Sequence, residues 1–165
     1  MKITLTLTAL LAVALTGSAY AHVTANQDAA APGSYHKVVL TVPHGCDGEA
    51  TTGLRVKIPD GVINIKPQVK AGWDITTKTV DYDHSYTLHG AELTQGVGEI
   101  AWGNGHLDDA YFDEFAFQVY LTDDLEDTDA VYFPTIQQCG DKTTRWIDTS
   151  DEHSNNPAPK IELTP

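Results

Sequence analysis

Long parts of this chain alternate apolar and polar residues with a period of two, which sends successive side chains to opposite faces of a strand. In residues 35–42, Val38, Leu40 and Val42 share one side, with Lys37, Val39 and Thr41 on the other. Residues 51–58 repeat the pattern: Leu54, Val56 and Ile58 point inward while Arg55 and Lys57 face water. The clearest run is 114–121, where Phe115, Phe117, Val119 and Leu121 alternate with Ala116, Gln118 and Tyr120. Shorter strands are expected at 23–28, 62–65, 73–79, 85–88, 98–102, 130–138 and 143–147. Between them lie Pro-Gly, Pro-Asp-Gly, Lys-Pro, Ala-Gly, Asp-Tyr-Asp-His and Gly-Asn-Gly punctuation, and Pro134 marks a bulge or an edge. No stretch sustains a helical period. A set of about nine short strands predicts an all-β, antiparallel two-sheet β-sandwich, cupredoxin-like or immunoglobulin-like.

The two ends depart from this pattern. Residues 1–21 hold Lys2, an apolar run to Leu15, and Ala19 and Ala21 in the small-x-small arrangement of a secretory leader. They are read as a signal peptide, 22–148 as the sandwich domain and 149–165 as a flexible C-terminal tail, with Asn155-Asn156-Pro157-Ala158-Pro159 and His153 in it. Removing 21 of the 165 residues leaves 144, enough for one domain with its own core. No later apolar run approaches the ~20 residues of a membrane span. The mature chain is therefore expected to be periplasmic or secreted.

Composition narrows the partners. The formal charge is −13 and becomes −14 once Lys2 is lost, which disfavours nucleic acid and anionic membranes and favours cations. Residues 123–129 carry five carboxylates but lack the glycine and closing glutamate of a calcium loop, so a solvated hairpin loop is expected. Cys46 and Cys139 are the only cysteines. In an oxidising compartment they are expected to pair, stabilising the fold by up to about 4–5 kcal/mol in the chain-entropy account.

Cleavage after Ala21 would make His22 the first residue. Its α-amine and imidazole could then close one chelate ring on a metal ion, which no internal histidine offers. The loop His44-Gly45-Cys46-Asp47-Gly48-Glu49 is the best source of further donors, through His44, Asp47 and Glu49. Amine, imidazole and carboxylate in a tetragonal set suit Cu2+, and the absence of methionine after Met1 argues against a cuprous site. Tyr35, His36, His84, His89 and His106 form no ligand spacing and read as ordinary side chains, as do Trp73 and Trp102. Trp146 follows Cys139 by seven residues, so a bridge to Cys46 would bring it towards the same loop, where an indole can cover a cation.

Several of these features recur together: His22-Val23-Thr24, Ala31-Pro32-Gly33-Ser34-Tyr35, Val42-Pro43-His44-Gly45-Cys46, Ala50-Thr51-Thr52, Lys66-Pro67, Gly72-Trp73 and Trp146. Between His22 and about Asp148 the chain resembles the YcnI family of exported copper-binding proteins. The resemblance implies a mononuclear copper site held by one N-terminal histidine and a glutamate beside a tryptophan, which here are His22, Glu49 and Trp146. Asp47 remains the rival carboxylate. The function expected is copper buffering, trafficking or delivery without catalysis, with another exported copper protein or a membrane copper transporter as partner. The alternatives are a copper-dependent oxidative enzyme of the polysaccharide monooxygenase type and a metal-free structural or adhesion sandwich.

Overall fold

A computed structural model describes residues 22–28, 30–150 and 154–164; the expected leader and His153 lie outside the described residues. Two antiparallel sheets face one another, as the alternation predicts. The first has the order β1 (Thr24–Ala25), β2 (Ser34–Val42), β7 (Asp113–Leu121), β4 (Val62–Pro67). The second has the order β10 (Lys142–Trp146), β9 (Thr135–Cys139), β3 (Gly53–Lys57), β6 (Ala91–Gly103), β5 (Asp74–Leu88). Val38, Leu40 and Val42 meet Phe115, Phe117, Val119 and Leu121 in the main core, with Leu54, Val56, Ile100, Trp102 and Phe133 from the facing side. These are the residues on the inward phase of each alternating strand.

Three expectations need correction. Asp81-Tyr82-Asp83-His84 does not separate two strands; β5 runs through it, and register shifts between Lys78 and Thr79 and between Asp81 and Tyr86 absorb the irregularity. The middle of β5 is solvated on both faces, so apolar alternation is lost without the strand ending. Residues 130–138 are two strands, because Pro134 lacks the N–H that would continue the ladder. Before it, β8 (Ala130–Tyr132) leaves the second sheet; after it, β9 joins.

The third concerns 149–165. The described part of this tail forms β11 (Lys160–Glu162), paired antiparallel with β8 through Lys160↔Tyr132, Ile161↔Val131 and Glu162↔Ala130. Ile161 is fully buried and Ala158 nearly so. Asp148 N–H donates to the Asn156 carbonyl at 3.1 Å and Ala158 N–H to the Asp148 carbonyl at 2.7 Å, so the returning chain is laced to the end of the second sheet. Residues 123–129 open with a 3-10 turn, Asp123–Leu125, whose Leu125 is buried while its aspartates face solvent.

The Cys46–Cys139 disulfide is present and spans 93 positions, tying the loop after β2 to the end of β9. No helix among the described residues is long and apolar enough to cross a membrane.

Candidate metal centre

His22 is placed by the first sheet. The β1–β2 register pairs Thr24 with Thr41 and Ala25 with Leu40, so continuing it sets His22 opposite Pro43, next to His44. Val23 and Ala25 are buried and anchor the strand. The His22 imidazole meets the Trp146 indole edge to face, with centroids 5.6 Å apart and planes at 79°. Trp146 comes from the last position of β10, on the opposite sheet.

A buried polar chain holds the indole. Trp146 Nε1–H donates to Gln137 Oε1 at 3.0 Å. Gln137 Nε2 donates to the His44 carbonyl and to Thr51 Oγ1, both at 2.7 Å. Thr51 Oγ1 lies 3.8 Å from the disulfide sulfur of Cys139. Gln137 is 1% exposed, and each of these bonds meets a polar group that burial would otherwise penalise. His44 is thus fixed through its carbonyl, and its Nδ1 is 2.5 Å from the Gly45 carbonyl oxygen.

The rest of the 44–49 loop is a minimal hairpin. Cys46 and Glu49 exchange both backbone hydrogen bonds, at 3.0 and 3.1 Å, across Asp47 (φ 50°) and Gly48 (φ 83°). Two left-handed residues in succession form the turn whose twist suits a two-residue hairpin. Gly45 is obligatory, since a Cβ there would collide with the Glu49 carbonyl oxygen. Glu49 is exposed. The Asp47 side chain is 90% exposed and 4.0 Å from Lys142 Nζ. Among the described residues no three His, Cys, Asp or Glu side chains are gathered at a metal's reach.

The histidines set aside in the sequence have other partners: His84 lies 2.8 Å from Asp124, His89 2.9 Å from the Tyr35 hydroxyl, and His106 2.7 Å from Asp108. His36 Nε2 is buried with no partner among the described residues, and burial pushes its pKa down, opposed in part by attraction to Asp28.

Beside His22 runs a groove of about 290 Å³ lined also by Gln27, Tyr132, Asp148, Ser150 and Lys160, and walled by the returning chain Pro157–Pro159. The Ser150 hydroxyl donates to Asp148 Oδ1 at 2.7 Å and its N–H at 2.9 Å. These bonds, with a further one from Ser154, hold the Asp148 carboxyl below the usual carboxylate range. A larger groove, about 420 Å³, lies between Lys57, Leu125, Tyr132 and Pro134 and contains none of the candidate ligands. Gln137 and Asp148 were not singled out in the sequence. The signal for both was strand phase: Gln137 shares the inward face with Thr135 and Cys139, and Asp148 lies two residues past Trp146.

The two-sheet arrangement defines an immunoglobulin-like β-sandwich. An uncharacterized protein from Nocardia farcinica, whose crystal structure is described as having an immunoglobulin-like fold, superposes with a TM-score of 0.66 at 23% identity, covering 87% of this chain and 99% of its own. A non-cellulosomal cohesin from the hyperthermophilic archaeon Archaeoglobus fulgidus aligns with a TM-score of 0.39 at 10% identity, over 87% of this chain and 91% of that one. The chain belongs to the family described as Domain of unknown function (DUF1775), which it matches over residues 22–163. No protein of curated function is detectably similar to it.

Proposed function

We propose that the exported, processed chain carries divalent copper as cargo at His22 and buffers or delivers it outside the cytoplasm, without catalysing a reaction. The observation that carries this reading is the edge-to-face packing of His22 on Trp146 at the mouth of a walled groove. An imidazole in that position is oriented before any ion arrives, and an indole beside it excludes water from one side of the site.

The donor set fits this cargo only if the main chain takes part. No cluster of three ligating side chains exists among the described residues, so a site here requires the α-amine that cleavage before His22 would create. Amine and imidazole Nδ1 of one residue then supply two nitrogens in a six-membered chelate ring suited to tetragonal copper. Two further facts lend support. The family match begins at residue 22, and an intramolecular disulfide is the form expected in an oxidising compartment. The resemblance to the YcnI family implies the same histidine and tryptophan, with Glu49 as the carboxylate.

The test is chemical. Mass spectrometry of the exported protein is expected to find His22 first. Copper titration is expected to give one tight site per chain, and a variant with one extra residue before His22 is expected to bind much more weakly. Equal affinity with and without that residue would place the site elsewhere. Since a protonated amine and an imidazolium cannot donate to a metal, affinity is also expected to fall with falling pH.

One observation favours the oxidative alternative. Tyr111 and Phe112 are 64% and 68% exposed, and the β2–β7 register, which pairs Val42 with Asp113, continues to put Phe112 opposite Pro43. Exposed aromatic side chains near a copper histidine are what a polysaccharide-oxidising enzyme would use to grip its substrate. Peroxide-driven release of oxidised oligosaccharides from chitin or cellulose by the copper-loaded protein would establish that reading over simple carriage.

A further inference from the structure

We propose that Asp148 is the anionic donor of the His22 site, an assignment that rests on the copper reading above but replaces the carboxylates of the 44–49 loop. Residues two apart on an extended chain project to the same side, so the run that leaves β10 presents Trp146 and then Asp148 on one face. Trp146 is the residue that touches His22. Asp148 lines the groove beside that same imidazole and is the one carboxylate among the described residues that line it.

Glu49 is paired with Cys46 through its backbone and the Asp47 carboxylate lies 4.0 Å from Lys142, whereas Asp148 is held through backbone and carboxylate alike. Its N–H and carbonyl are pinned by Asn156 and Ala158. Its carboxylate is oriented by two hydrogen bonds from Ser150, both to Oδ1. A ligand already fixed loses little conformational freedom when it coordinates. Asp47, by contrast, projects into solvent near Lys142, and Glu49 is exposed on the far limb of its small hairpin. The cation in the groove, Lys160, is 3.0 Å from Glu162, so its charge is already partnered by a carboxylate outside the groove. A hard oxygen anion beside two neutral nitrogens leaves divalent copper with one residual positive charge, an arrangement common for tetragonal sites of mixed nitrogen and oxygen ligands.

The experiment uses the full mature protein, verified to begin at His22. Copper affinity is measured by competition with a chelator for the parent and for Asp148→Asn, Glu49→Gln, Asp47→Asn and His22→Ala. Asp148→Asn keeps an oxygen for Ser150 to bond, so it preserves the turn while removing the charge. It is expected to weaken copper by about tenfold or more, corresponding to ~1.4 kcal/mol. Its thermal midpoint should stay near that of the parent. Parent-like affinity in Asp148→Asn, with His22→Ala impaired, overturns the Asp148 assignment and leaves the copper reading standing. Parent-like affinity in His22→Ala overturns the copper reading itself. A measurement on the unsubstituted site guards against misfolding: pulsed electron paramagnetic resonance of protein carrying carbon-13 aspartate is expected to show a copper–carbon coupling that persists in Asp47→Asn. Protein carrying carbon-13 glutamate is expected to show none. Coupling to labelled glutamate alone would return the role to Glu49.

Discussion

Gln137 illustrates how one buried amide can organise a candidate site through its hydrogen bonds alone. Its two ends satisfy the Trp146 indole N–H, the His44 carbonyl and the Thr51 hydroxyl. Gln137→Met keeps the length but leaves those three polar groups without their partner. The cost of stranding buried polar groups is about 1–3 kcal/mol, read as a lower urea midpoint. Because Trp146 would lose its fixed orientation, its fluorescence should also shift in the folded variant. His36 gives the second prediction at this scale. Burial lowers its pKa in the folded protein, so below about 6.5 the unfolded chain binds the proton more readily. Stability is therefore present above that pH and declines as pH falls through it. His36→Gln should flatten this part of a stability–pH profile, and an unchanged slope would assign the effect to other groups.

At the scale of elements, what the sequence made legible followed the strength of its apolar phase. Strands β2, β3 and β7 are one-sided and buried, and their inward residues are those the alternation picks out. The middle of β5 has no buried face to enforce alternation, so its continuity through Asp81–His84 left no such mark. The tail departs from its expected disorder for a related reason. Pro157 and Pro159 suggest an unstructured segment, yet Ile161 is fully buried opposite Val131, with Ala158 also buried and Leu163 packed against the core. A three-residue strand offers too few positions to display a period. The candidate site divides the same way: His22 and Trp146 stood out as residue types, whereas Gln137 and Asp148 acquire meaning only from which neighbours the folded sheets supply. If Ile161 docks the tail as the structure shows, Ile161→Ala should cost about 2–5 kcal/mol in denaturant unfolding. A loss under ~0.5 kcal/mol, the range of ordinary surface changes, would mean the segment is only loosely attached.

Across the whole molecule, the candidate site is assembled from parts that lie far apart in the chain. The N-terminal strand brings His22, the second sheet brings Trp146 and Gln137, the disulfide ties the His44 loop to β9, and the C-terminal segment builds the groove wall. These parts are not equally firm. His22 leads into a two-residue strand at the edge of its sheet, whereas Trp146 ends β10, also an edge strand but paired with β9 over five residues. Edge pairings this short open at far lower free energy than the sandwich unfolds. In hydrogen-exchange experiments the amides of Thr24 and Ala25 are thus expected to exchange well before those of Leu40 or Phe117, and copper, bound at His22 as proposed, should slow the first pair selectively. Under the proposed function, release would require only that the leading strand peel away, taking His22 with it, so a receiving protein could strip the ion from a lifted end while the rest of the sandwich stayed shut.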